Sequence, residues 1–208
     1  MLKVFSLILY PTMAWKRILQ ERHGVVSIFM GYLLPVLLIV SVVEALGMAA
    51  WREWYVGTHG VIHFTLGQAL VFETMHLALT LLMTVSCASI IWILGDPFYS
   101  RYNYRQALTV VIYSLTPWFL IQPLNAIPWI NLWIPWAIGI FFSLKALYYG
   151  MPRMLASAPG HALGLYLLSC AAIAGLTGAE RFILIQSLTG KGVLANDVIC
   201  SIAAKLPF

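Results

Sequence analysis

Residues 69–94, ALVFETMHLALTLLMTVSCASIIWIL, decide the fold. A helix needs about 20 mostly apolar residues to cross a bilayer, and this run exceeds that with only Glu73 and His76 as strongly polar ionisable interruptions. It stops at Gly95-Asp96-Pro97, where proline cannot continue the helical ladder. Four further apolar stretches surround it, at roughly 28–50, 106–126, 129–150 and 159–179. Pro35, Pro117 and Pro135 fall inside the first, third and fourth spans and predict kinks there. Neighbouring helices can re-satisfy the carbonyls a proline frees, so no span is split.

Composition agrees with this reading. Hydrophobic residues make up 62% of the 208-residue chain and charged residues 9%, against about 45–50% and 25% in soluble domains. The expected class is therefore an all-α, polytopic integral membrane protein with five transmembrane helices. No Lys/Arg run is dense enough for nucleic acid, so the net charge of +5 is read as a membrane-orientation signal and the lipid bilayer as the first partner. Cys87, Cys170 and Cys200 form neither a metal pattern nor a disulfide framework.

The basic residues give a direction. With a cytoplasmic N-terminus, Lys3, Lys16, Arg17, Arg22, Arg101, Arg105, Lys145 and Arg153 lie inside. Arg52, Arg181, Lys191 and Lys205 lie outside, and that imbalance favours this orientation. Trp51, Trp54, Tyr55, Trp129 and Trp133 then form an outer aromatic belt. Trp15, Trp92, Tyr99, Tyr102, Tyr104, Tyr148 and Tyr149 form an inner one. Residues 1–26 are too short and too charged to span. Their apolar residues recur at helical spacing on either side of Pro11, which predicts two short amphipathic helices on the cytoplasmic surface and not a cleaved leader. The organisation expected is 1–26 interfacial segment, 27–179 five-helix membrane domain and 180–208 outer tail.

Ionisable groups inside a membrane are costly and point to function by default. Glu44 lies about 7–8 Å beyond the middle of the first span at 1.5 Å per residue. Glu73 and His76 reach similar depth from the antiparallel second span, and Gln122 and Asn125 close the third span on the same side. Glu73, His76, Thr80, Thr84 and Cys87 continue one polar stripe along the second helix. Glu44, Glu73, His76, Gln122 and Asn125 are thus the candidate site, a polar pocket open to the outer face. The competing reading has Glu44 and Glu73 snorkelling toward water.

Other motifs carry less. Glu73-x-x-His76 has the spacing of carboxylate-bridged di-iron bundles, which need two such motifs and further glutamates, and His59-x-x-x-His63 lacks the many histidines of a desaturase box. No metal or cofactor is expected on these grounds. Gly160-x-x-x-Gly164, Gly139-x-x-x-Ser143 and Ala171-x-x-x-Gly175 predict close helix packing. No G-x-S-x-G, H-E-x-x-H or P-loop is present, so no catalytic residue is assigned and an enzyme is not expected.

Three segments, taken in order, resemble the Yip (Ypt/Rab-interacting protein) membrane-domain family. They are Leu7-Ile-Leu-Tyr-Pro11-Thr-Met-Ala-Trp15-Lys-Arg-Ile18, Tyr113-Ser-Leu-Thr-Pro117-Trp-Phe-Leu120, and Leu132-Trp133 with Gly139 leading to Leu147-Tyr148-Tyr149-Gly150-Met-Pro152. The likeness covers roughly residues 4–178 and implies a five-helix bundle with a cytoplasmic N-terminus. Eukaryotic relatives bind Rab-type GTPases and one another. The short region ahead of the first span implies a bacterial-type member in an inner membrane, for which a Rab-type GTPase is not an expected partner. The function expected is non-enzymatic, membrane-organising or partner-binding, with a homo- or hetero-oligomer in the membrane. The alternative is a small-solute or ion transporter using the outer polar pocket, although no inverted repeat supports it.

Overall fold

The structure, a computed structural model, describes residues 11–20, 24–50, 54–55, 61–62, 65–98, 102–127, 129–155 and 161–188. Five helices are long and apolar enough to cross a membrane: Val25–Ala50, Leu66–Leu94, Tyr104–Ala126, Trp133–Met154 and Ala162–Ser187. The class expected from the sequence is the class found. A shorter helix, Pro11–Gln20, precedes them, and Trp54–Tyr55 pairs antiparallel with Val61–Ile62 between the first two spans.

Local chemistry explains where the spans begin. The second starts at Leu66, earlier than its apolar run, because Thr65 and Gln68 form a capping box: Thr65 Oγ1 accepts from the Gln68 N–H at 3.3 Å, and Gln68 Oε1 accepts from the Thr65 N–H at 3.0 Å. At the third, Gln106 Oε1 accepts from the Asn103 N–H at 2.9 Å. Two of the expected kinks take other forms. The first span contains a π-helical turn, Phe29–Leu33, just ahead of Pro35, whose ring would otherwise press on the carbonyl four residues back. Pro135 is the third residue of its helix, within the first turn, where there is no earlier helical carbonyl to disrupt.

The third span is the axis of the bundle, with residues 107–119 buried without a break. The other spans turn one side outward: Leu38, Val42 and Leu46 on the first, Leu82 and Ile93 on the second, Phe141 on the fourth, and Leu163 and Leu167 on the fifth are exposed. That pattern suits helices whose outer faces meet hydrocarbon. Polar links tie the spans together. Tyr32 and Thr116 share a hydrogen bond of 2.9 Å between first and third, and Trp136 Nε1 donates to Thr177 Oγ1 at 3.3 Å between fourth and fifth.

The N-terminal helix does more than lie on a surface. Ala14, Trp15 and Ile18 are buried, and Trp15 Nε1 donates to the Ala146 carbonyl of the fourth span at 3.1 Å. Gly150 makes room for the indole, since a Cβ there would overlap the Trp15 ring at Cζ2. Trp15 therefore leaves the expected inner aromatic belt and joins the core. Tyr102 does the same, donating to the Ile91 carbonyl at 2.6 Å, and burial beside Asp96 pushes its phenol up to about 12. Trp92 and Tyr148 at that end, and Trp129 and Trp133 at the other, are exposed as a belt requires. The amphipathic segment before Pro11 lies outside the described residues.

The small-residue motifs divide. Gly139 meets Trp118, and a Cβ on Gly164 would come within 2.7 Å of Phe98. Ala171 and Gly175 are exposed, with nothing within 4 Å of a Cβ at Gly175. The largest departure is at the end of the fifth helix, which continues past residue 179 to Leu188. The first part of the expected outer tail, residues 180–188, is helix, and residues 189–208 lie outside the described set.

Candidate functional site

Four spans bring polar side chains to the end of the bundle opposite the Trp15 helix. Glu44 comes from the first span, Glu73, His76 and Thr80 from the second, Gln122 and Asn125 from the 3₁₀ turn that ends the third, and Glu180 and Arg181 from the fifth. Glu44, Glu73, His76, Asn125, Glu180 and Arg181 are each only 2–4% exposed. Glu44 and Glu73 therefore do not snorkel to a surface. All five residues of the stripe from Glu73 to Cys87 are buried, as their spacing on one helix face implies.

The contacts run through His76. Its Nδ1 stands 3.5 Å from Glu73 Oε2, one turn back on the same helix, and its Nε2 stands 3.7 Å from Glu180 Oε1 across the bundle. Thr80 Oγ1 donates to that Glu180 oxygen at 2.6 Å. Arg181 Nη2 donates to Asn125 Oδ1 at 2.8 Å. Gly47 lets the turn carrying Asn125 approach the first span, since a Cβ there would meet Ala126 Cβ at 2.5 Å. Several polar atoms end without a hydrogen-bond partner among the described residues, Glu44 Oε2, Glu180 Oε2 and Arg181 Nε, while Ser41 of the first span stands beside the Glu73 carboxylate. Gln122 is buried at the same end with its Nε2 unpartnered, but it does not line the central cavity.

That cavity is small, about 10 Å³, and Glu44, Phe72, His76, Asn125 and Arg181 contribute to its wall. The space matches one water molecule or one small ion. The polar pocket expected from the sequence corresponds to a compact charged cluster around this gap. One ligand atom each from Glu44, Glu73 and His76 lie within 4.8 Å of one another. His59 and His63 lie outside the described residues.

Glu180 and Arg181 were not among the candidates read from the sequence. An adjacent acid–base pair after Gly178 reads as a helix end, and only the apolar run Phe182-Ile-Leu-Ile185 beyond it signals continuation. In the fold the two charges are shared with facing spans, which makes their burial tolerable.

Fold and site together define a multi-pass, five-span membrane protein with a cluster of buried charged side chains at one end of its bundle. The chain belongs to the Yip1 domain family, whose model matches residues 5–179. Glu44, Glu73, His76 and Asn125 fall within the matched region, and Glu180 and Arg181 lie just past it. No match is found among curated proteins or among solved structures.

Proposed function

We propose that this chain is a non-enzymatic membrane protein that organises membrane or binds partner proteins through its lateral faces. The observation that supports this reading is the solid packing of the third span, buried throughout residues 107–119. A transport route through the bundle axis would have to displace that packing. The first span offers Leu38, Ile39, Val42, Val43 and Leu46 as one exposed apolar side, suited to lipid or to another membrane helix. A soluble GTPase is a poor partner for the N-terminal helix, whose Trp15 and Ile18 are already packed on the bundle. We also place the N-terminus in the cytoplasm and the protein in a bacterial inner membrane. Withdrawal of Arg181 into the interior leaves Arg52, Lys191 and Lys205 as the outer basic residues, which strengthens the charge imbalance.

A second reading, transport of a small cation or proton, draws on the buried cluster. Proteoliposomes containing the purified chain and a pH- or metal-sensitive dye separate the two. Flux equal to that of empty vesicles is expected, together with discrete protein adducts from a photo-crosslinker placed at Leu38 or Val42 in native membranes. Saturable flux that Glu73→Gln abolishes would replace the partner-binding reading with transport.

A further inference from the structure

We propose that Glu44, Glu73 and His76 form an intramembrane site for one divalent first-row transition-metal ion. The proposal is independent of the lateral partner-binding role. It starts from charge. Glu44, Glu73 and Glu180 carry three negative charges when ionised, and Arg181 returns one, so a divalent cation brings the cluster to neutrality. In a membrane interior an uncompensated charge is costly, which gives such neutralisation its driving force.

Glu44 and His76 line the gap, and Glu73 stands beside His76. Glu44 borders the gap of about 10 Å³, and its Oε2 is buried without a hydrogen-bond partner among the described residues, while the buried Glu73 carboxylate has Ser41 of the first span beside it. With His76 the two carboxylates supply ligand atoms mutually within 4.8 Å, and an inward movement of a few tenths of an ångström to about an ångström brings them around an ion. Two carboxylates and one imidazole favour zinc, manganese, iron or cobalt over the all-oxygen preference of calcium and magnesium.

The surroundings complete the assignment. Nδ1 of His76 faces Glu73 and serves as the ligand nitrogen, while Nε2 faces Glu180 at 3.7 Å and keeps its proton. Glu180 is itself held by Thr80 at 2.6 Å. A carboxylate on the far nitrogen of a metal-bound histidine fixes its tautomer and orientation, and Thr80–Glu180–His76 has that order. Arg181 shares the wall of the gap, with its Nη2 held on Asn125 Oδ1 at 2.8 Å, and supplies the one positive charge in this count.

Cobalt(II) titration of the chelator-stripped, detergent-purified full chain tests the site. His59→Ala and His63→Ala are introduced first, so that this pair cannot bind the probe. One equivalent of Co²⁺ should give visible d–d absorption and a hyperfine-shifted imidazole N–H in the NMR spectrum, and Zn²⁺ should displace it. A hundredfold excess of Ca²⁺ should not. Glu73→Gln or His76→Gln should abolish the absorption, and Glu180→Gln should weaken binding by about 10–100-fold. No absorption in the parent background, displacement by Ca²⁺, or a missing imidazole signal would overturn the proposal. So would unchanged binding in folded Glu73→Gln and His76→Gln chains. The parent titration and its NMR signature decide the matter even if a variant does not fold.

Discussion

Arg181→Ala should destabilise the protein by about 3–5 kcal/mol, the usual cost of removing one partner from a buried ionic group. The guanidinium sits 4% exposed among Glu44, Glu73 and Glu180 and is their fixed cation among the described residues. Its removal leaves the carboxylates without a permanent counter-charge and Asn125 Oδ1 without its donor. Thermal unfolding in one detergent, with chelator present, reads the effect. Adding Glu44→Gln should recover part of the loss, because an amide needs no counter-ion. The coupling between the two sites should lie at about 0.5–3 kcal/mol, the range for residues in one polar network. An Arg181→Ala chain as stable as its parent would mean that the fifth helix delivers no charge to the interior.

Trp15→Ala should cost a comparable amount, about 3–5 kcal/mol, in line with truncation of large aromatics in packed interiors. The indole is fully buried, stacks edge-on to Tyr113 at 6.3 Å between ring centroids, and donates to the Ala146 carbonyl. Losing it empties the seat beneath the N-terminal helix and frees that carbonyl. Gly150→Leu attacks the same seat from the other side, since even the first added carbon would overlap the ring. Combined, the two substitutions should cost less than their sum, because a leucine can occupy space the indole vacates. Trypsin cleavage at Lys16 or Arg17 provides the readout: fast in either single variant, slow in the parent. Equal cleavage rates in all chains would show that the helix is held by lipid and not by the bundle.

Much of this was legible from residue order. The apolar runs located all five spans, because hydrocarbon solvent demands about 20 uninterrupted residues and no other segment offers them. Glu44, Glu73 and His76 were legible as partners because antiparallel helices place them at one depth. Which helix becomes the axis was not. In a soluble protein the most apolar element takes the centre, but lipid is as apolar as leucine and exerts no such sorting. The third span, which carries Thr109, Ser114 and Thr116 in its buried body, sits at the centre while the more apolar first span faces outward. Of these, Thr116 bonds across to Tyr32 of the first span, a link it could not make facing lipid. The fifth helix misled for a related reason. Glu180-Arg181 looks like a boundary when the chain is read alone, and becomes interior only when Thr80, His76 and Asn125 are there to receive it.

The far end of the fifth helix is therefore the place to test the whole arrangement. Nitroxide labels placed singly at residues 182–187 of a cysteine-free background report oxygen, which concentrates in lipid, against a water-soluble nickel chelate. The structure has Phe182 and Ile183 exposed and Leu184 and Ser187 buried. The expected profile is helical: high oxygen accessibility at 182 and 183, minima for both reagents at 184 and 187, and little nickel contact across the scan. Uniform nickel accessibility from 182 onward would make this segment a hydrated tail, and the charged cluster at the heart of the site would lose Glu180 and Arg181.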